Sequence, residues 1–226
     1  MPQATSYTAL NRQEAKAILL LEGVDDWHCI THLLDKFFPD YNMHFQLADC
    51  GNREAVFKAL RAESIASQPM QRVGAIIDAD KSTITSVLQS VSDSLGSEYS
   101  LPQSWPGDGL IVERKTDAGS ARPPRIGIWC MPDNQTQGIF EDLLNRAMPN
   151  TSLQFIEETI EKALEAKHAE HADVERPKAI LRTYMAWNAP TCSKYGEALG
   201  QKLFVEASLR EHFQPMIDWA RRLFAQ

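Results

Sequence analysis

Along its first two-thirds the chain alternates short, unbroken apolar runs with longer stretches that carry apolar residues at helical spacing. Ala17–Gly23 (AILLLEG) is the first such run, ending in Glu22. It has no period-two alternation, as expected of a strand covered on both faces of a parallel sheet. WHCITHLLDKFF then keeps helical spacing and stops before Pro39, with Asp25 or Asp26 as its cap. Met43–Asp49 (MHFQLAD) reads as a second strand and Cys50-Gly51-Asn52 as the turn after it, Asn52 capping a helix over Arg53–Ser67. The third strand, Val73–Asp80, lies within RVGAIIDADKS (Arg72–Ser82) and leads to a helix over Ile84–Leu95 that breaks at Gly96. Residues 97–125 are dominated by proline, glycine, serine and charge around one apolar island, Gly109–Glu113. They read as an excursion from the sheet, a hairpin arm rather than a core layer. Ile126–Met131 (IGIWCM) resumes a buried strand, ends at Pro132-Asp133-Asn134, and precedes a helix over Gly138–Ala147.

After Pro149 the strands stop. Ser152–His171, Lys178–Trp187 and Leu209–Phe224 are amphipathic helices, and Tyr184, Trp187, Phe204, Phe213, Trp219 and Phe224 are expected to pack them together or against the sheet. The pattern predicts an α/β fold: a mostly parallel sheet of about four strands flanked by helices in residues 1–149, with the excursion at 97–125, and a helical C-terminal subdomain over 150–226. Those helices are also the expected contact surface for a protein partner or a second copy.

Composition narrows the function classes. With 226 residues, 43% hydrophobic and 23% charged, the chain has the make-up of an ordinary globular protein. AILLL is too short to span a bilayer, so no membrane association is expected. The four cysteines (Cys29, Cys50, Cys130, Cys192) are scattered without a C-x-x-C pair, which fits a reducing cytoplasm better than a disulfide scaffold or zinc ribbon. A net charge of −7 disfavours bulk electrostatic binding of polyanions. Any nucleic-acid contact is therefore expected to be local, metal-assisted or supplied by a partner.

The predicted strands end, in order, at Glu22, Asp49, Asp78/Asp80 and Asp133. In a parallel sheet these acids share one edge, the edge beyond which α/β folds bind ligands. Alternate residues of an extended segment share a face, so Asp78 and Asp80 are expected to point together. Asp26, one turn into the first helix, and Glu141, in the first turn of the fourth, lie on the same side. Close carboxylates repel by roughly 4 kcal/mol at 4 Å and a protein-like effective dielectric. A divalent cation relieves this, and Mg²⁺ or Mn²⁺ suits a few carboxylates plus water. Simpler roles compete: Asp25, Asp49, Asn52 and Asp133 serve equally well as helix caps, and Glu141 suits a helix dipole. Glu22 and the Asp78/Asp80 pair cap no predicted helix directly.

Glu22-Gly23-Val24-Asp25-Asp26 after one strand and Asp78-Ala79-Asp80 after a later one resemble the Toprim domain, over about residues 17–148. That module is shared by bacterial primases, topoisomerases, recombination proteins of the RecR type and OLD-family nucleases. The resemblance implies a Rossmann-like core, with Glu22 as metal ligand or general acid/base and Asp78 and Asp80 as the metal-binding pair. It also implies that Asp26 is the acid that joins the first-strand glutamate in OLD-type nucleases, and Glu141 a further downstream acid. Lys81, Ser82 and Asp133 match no motif but lie where phosphate or water would be contacted. No zinc-binding module, polymerase or helicase companion or topoisomerase tyrosine arrangement accompanies these residues, and there is no G-x-x-x-x-G-K-[ST] for an ATPase.

The leading expectation is a Mg²⁺- or Mn²⁺-dependent nuclease with Glu22, Asp26, Asp78 and Asp80 as catalytic acids and Glu141 as an added metal ligand. Arg114, Lys115, Arg122 and Arg125 would guide the nucleic acid, or are ordinary loop charge. The alternatives are a weakly active or inactive Toprim-like binding or scaffold module, and a D-x-D phosphatase or nucleotide-sugar enzyme built on Asp78-x-Asp80-x-Ser82. His28 and His32 have i, i+4 spacing without an obvious third ligand and read as a packed or surface pair; His168 and His171 read as solvated. Trp27 and Trp129 are expected in the core, and the cysteines lack a partnered base.

Overall fold

A computed structural model describes residues 3–11, 15–66, 70–113, 124–170 and 173–225. Its elements follow in the order β1 (Ala17–Leu21), α1 (Val24–Phe37), β2 (Gln46–Asp49), α2 (Arg53–Ile65), β3 (Arg72–Asp78), α3 (Ile84–Leu95), β4 (Leu110–Val112), β5 (Arg125–Met131), α4 (Phe140–Arg146), α5 (Asn150–Glu165), α6 (Arg176–Asn188), α7 (Tyr195–Gly200) and α8 (Glu206–Phe224). Among the described residues the sheet has five strands in the order β2-β1-β3-β5-β4. The pairs β1–β2, β1–β3 and β3–β5 are parallel, and β4 runs antiparallel to β5. Among the described residues, no helix is long and apolar enough to cross a membrane.

The strands look uniformly apolar in sequence because both faces of the sheet are covered. Leu19, Leu21, Ile76, Trp129 and Met131 pack into one core with α1 and the helices from α4 onward. Ile18, Leu20, Val73, Ala75, Ile77, Ile126, Ile128 and Cys130 pack into the other with α2 and α3. Alternate side chains thus enter two different cores, and each must be apolar.

Several predicted elements are corrected. The island in 97–125 is not an arm: Leu110–Val112 forms β4, with Leu110 and Val112 buried against β5. Tyr99 and Trp105 of the same segment are core residues. Three residues are too few to show a period, and the strand exists through its pairing with β5 and the hydrogen bond from Trp219 Nε1 to the Leu110 carbonyl (3.1 Å). The third strand ends at Asp78 rather than Asp80, because Asp80 turns into a left-handed conformation (φ 52°) and exchanges backbone hydrogen bonds with Gly138. The shared-face argument for Asp78 and Asp80 therefore fails. Tyr41–Met43 is a 3-10 turn rather than the start of β2, α5 stops at Glu165, and α7 was not anticipated. Asn52 does cap α2, its side chain accepting the Ala55 N–H at 2.9 Å. Arg114, Lys115, Arg122 and His171 lie outside the described residues.

The C-terminal helix α8 reaches the sheet because two neighbouring strands present glycine at the same level. Gly74 and Gly127 are register partners. A Cβ on Gly74 would meet Phe224 Cζ at 2.7 Å, and one on Gly127 would meet Leu223 Cδ2 at 2.5 Å. Both distances are below van der Waals contact, so the missing side chains make the notch into which α8 settles. Phe224 then stacks on Phe45 with ring centroids 4.0 Å apart, and Arg221 donates to the Phe37 carbonyl.

Filling that notch tests the packing. Gly127→Val is expected to push Leu223 off the sheet and lower unfolding stability by about 1–3 kcal/mol, the range for overpacked cores. The measurement is the shift in urea midpoint, and an unchanged midpoint would show that α8 does not press on β5.

Candidate functional site

At the carboxyl edge of the parallel strands the chain leaves β1 through Glu22-Gly23 and enters α1 with Gly23 as its N-cap. The Glu22 side chain turns across to the neighbouring strand, where Oε1 accepts the backbone N–H of Asp78 at 2.9 Å. The Asp78 carboxylate in turn accepts the N–H of Phe140, the first residue of α4, at 3.0 Å through Oδ1. Three elements are joined by these two bonds: the end of β1, the end of β3 and the start of α4. Asp26 is the third residue of α1, its carboxyl beside the backbone of Gly23, whose N–H favours its charged form. Glu141 is the second residue of α4 and is buried.

These four carboxyls act on one another. Burial pushes Glu22 up to about 7, with the Asp80 charge adding to it and the Asp78 N–H and Arg53 opposing it. Burial, then Glu141, Glu22 and Asp25, raise Asp26 to about 7. Asp78 is held well above the usual carboxylate range by burial and by Asp26, Glu22, Glu141 and Asp80. Burial raises Glu141 as well, partly offset by Lys178 and Arg182. The acids that terminate β1 and β3 and open α1 and α4 are therefore electrostatic neighbours.

Asp80 stands apart from them in geometry. It is exposed, and its Oδ2 lies 3.4 Å from Arg53 Nη1 at the start of α2. A long, half-exposed pair of this kind contributes at most about 1 kcal/mol. Two other strand-end acids have local work. Asp49 Oδ1 accepts the Gly51 N–H at 2.8 Å and closes its own turn. Asp133 is partly buried, which pushes its pKa up, but N–H donors from Thr136 and Gln135 and the Arg146 guanidinium at 3.1 Å outweigh this and hold it below the usual range. Neither Asp49 nor Asp133 belongs to the cluster. Asp25 is exposed in the first turn of α1 and does not cap it.

The remaining sequence candidates separate cleanly. Lys81 is exposed and makes no salt bridge among the described residues; its carbonyl accepts Gln137 Nε2. Ser82 belongs to the turn after Asp80, its N–H bonded to the Ala79 carbonyl. Arg125 lies at the opposite end of its strand from Met131 and reaches the Arg222 carbonyl, so it does not border the acids. His28 and His32 face α7, where a Cβ on Gly196 would meet His28 Cβ at 2.7 Å and one on Gly200 the His32 ring at 3.2 Å. Burial pushes the thiols of Cys50 and Cys130 up to about 12, which leaves them protonated at neutral pH. Sequence reasoning missed Arg53, Lys178, Arg182 and Tyr195, which border the acids from α2, α6 and α7. The only forewarning was the i, i+4 spacing of Lys178 and Arg182 on an amphipathic helix.

The donor chemistry suits a hard divalent cation, since every clustered group is a carboxylate made harder to ionise by burial, with Asp26 and Asp78 raised further by their acidic neighbours. Among the described residues, no three His, Cys, Asp or Glu side chains are already drawn around one point. Glu22, Asp26, Asp78 and Glu141 could hold such an ion after side-chain rotation, with Asp80 at the rim.

A family model described as "Protein of unknown function (DUF3226)" matches residues 16–225. No curated protein and no solved structure matches the chain.

The raised acids give a signed pH dependence. A carboxyl whose folded-state pKa lies above its unfolded value binds its proton more tightly when folded. Its stabilising contribution is complete below the unfolded pKa, near 4, and is lost as pH rises through about 7. For Glu22 and Asp26 the effect is on the order of 3 kcal/mol each. In chelator the unfolding midpoint is expected to fall between about pH 4 and pH 7, and Glu22→Gln or Asp26→Asn to flatten that slope. A midpoint that rises through the same window would overturn the clustering.

Proposed function

This chain belongs to the DUF3226 family, and we propose that it is a divalent-metal-dependent nuclease of Toprim type, hydrolysing phosphodiester bonds of nucleic acid. The observation that carries the reading is the bond from the Asp78 N–H to Glu22 Oε1, which ties the strand-terminal glutamate to the first acid of the D-x-D. Electrostatic crowding with Asp26 and Glu141 gives the cluster a need for positive charge.

In this reading Glu22, Asp26, Asp78 and Glu141 hold Mg²⁺ or Mn²⁺. Asp80, exposed at the rim and 3.4 Å from Arg53, would be an outer member of that set. Bound there, the ion supplies Lewis-acid polarisation of a phosphoryl oxygen and a water more easily deprotonated than in bulk. Glu22, raised to about 7 by burial, would serve this site either as a ligand or as the general base near neutral pH, since a carboxylate bound to the ion no longer takes up a proton there. The Asp78 carboxylate is fixed by the α4 N-terminus, so it orients rather than moves.

A second reading, a catalytically silent binding module, is favoured by the Arg53–Asp80 contact, which already supplies one cation, and by an exposed aromatic pair, Phe155 and Trp187, with ring centroids 5.8 Å apart.

Asp78→Asn keeps an acceptor for the Phe140 N–H while removing the charge. It is expected to leave the fold intact and to cut Mg²⁺- or Mn²⁺-dependent cleavage of labelled DNA or RNA by at least about 100-fold, since loss of an outer-shell partner alone costs up to that. Wild-type protein should gain about 2.7 kcal/mol of stability at Mg²⁺ a hundredfold above its Kd, a gain lost in Asp78→Asn. Wild-type protein that shows neither the metal-dependent stabilisation nor cleavage would leave the binding-module reading in its place.

A further inference from the structure

The C-terminal helices bring three donors to the acidic cluster that the metal chemistry above does not use. Asn145 Nδ2 donates to the Pro177 carbonyl at 2.9 Å, which fixes the first turn of α6 against α4. Glu141 lies four residues before Asn145 and so faces the same side of α4, the side on which α6 lies. Lys178 and Arg182, four residues apart on α6, are exposed, make no salt bridge among the described residues, and act electrostatically on Glu141. From the other direction, the close approach of Gly196 to His28 presses α7 onto α1 and sets Tyr195 beside the turn that carries Asp25 and Asp26.

Tyr195 is the independent sign that this corner is incomplete. The residue is only 8% exposed, and its hydroxyl, shielded from water, faces the Arg182 guanidinium without completing a hydrogen bond of good geometry to it. Its charged neighbours are Glu141, Arg182 and Asp25. Buried hydroxyls are ordinarily satisfied. The exposed Arg182 guanidinium, backed by this hydroxyl and without a salt bridge among the described residues, is suited to an anionic group that arrives from outside.

We propose that Lys178 and Arg182, with Tyr195 as a positioning residue behind Arg182, seat a second phosphate of a polynucleotide strand next to the acidic cluster. The inference rests on the nuclease reading for the place of the first phosphate. The ammonium and the guanidinium offer hydrogen-bond donors to phosphate oxygens, the planar guanidinium two at once, while the buried Tyr195 hydroxyl steadies Arg182 from behind. In a protein of net charge −7 such donors must act locally. Two anchoring points, acids with their ion and the cationic corner, select a substrate with linked phosphates over one with a single phosphate. The corner thus makes the C-terminal helices part of the substrate site.

The test measures binding and cleavage separately on the full-length protein. Anisotropy of a short labelled single strand, DNA in one arm and RNA in the other, is read in chelator at low salt. Arg182→Ala is expected to weaken binding about tenfold, with partial rescue by Arg182→Lys, because the charge survives while the bidentate geometry is lost. The double variant Lys178→Ala/Arg182→Ala should lower the slope of log K against log salt by about 1.4, roughly 0.7 for each single-strand phosphate contact. Tyr195→Phe should keep the melting temperature and still weaken binding several-fold; a hydroxyl with a purely structural role would not move binding. With metal present, Arg182→Ala should raise KM for the oligonucleotide by a larger factor than KM for bis(p-nitrophenyl) phosphate, which has one phosphate. Wild-type cleavage of both substrates with variants equal to wild type would overturn the corner and leave the nuclease reading standing. Strand binding lost in the variants, without hydrolysis by any form, would support the corner and remove the nuclease reading. Absence of strand binding by wild type would overturn the corner.

Discussion

The arrangement depends on a steric permission: at Gly74 and Gly127, register partners on β3 and β5, the sheet has no side chains on the face that α8 approaches. Leu223 and Phe224 occupy that space, and everything C-terminal to β5 is organised by their seating. Trp219, about one turn earlier, donates to the carbonyl of Leu110 and so fixes the edge strand β4. Phe213, nearer the start of α8, packs against Phe140 at the first residue of α4. The helix that begins with Glu141 in its first turn is thus held by the same element that fills the glycine notch.

The polar edge follows from that packing. Glu22 and Asp78 belong to adjacent strands and would repel as bare carboxylates. The backbone supplies what each needs: the Asp78 N–H satisfies Glu22, and the start of α4 satisfies Asp78. What these bonds do not remove is the mutual crowding of Asp26, Asp78 and Glu141, and the shifted acids register it. Buried acids that remain near one another without an equal number of cations need protons, an ion or a positively charged ligand. That requirement, rather than any single motif, is what the proposed metal-dependent chemistry would meet.

Much of the fold was legible because buried parallel strands leave a strong signal. AILLL, RVGAIID and IGIWCM are apolar throughout, and the helices between them keep their spacing and caps. β4 left no comparable mark, since a three-residue strand at an edge exists through its partner. Acids were legible by type and not by role. Asp49 and Asp133 follow strands just as Glu22 does, yet one closes a turn and the other pairs with Arg146 and Thr136. Asp80 follows Asp78 by two residues, and a single left-handed residue turns it toward Arg53.

The sequence by itself determined the layers, the position of the parallel strands and the fact that acids would gather past their carboxyl ends, because apolar periodicity and strand–helix alternation are local properties of the chain. Tertiary structure alone decided which acids meet, and that Arg53, Lys178, Arg182 and Tyr195 border them. Those contacts join residues up to some 170 positions apart (Tyr195 and Asp25) through helix packing on a glycine notch, and no short-range pattern encodes a distance set by how side chains from distant segments fill one volume.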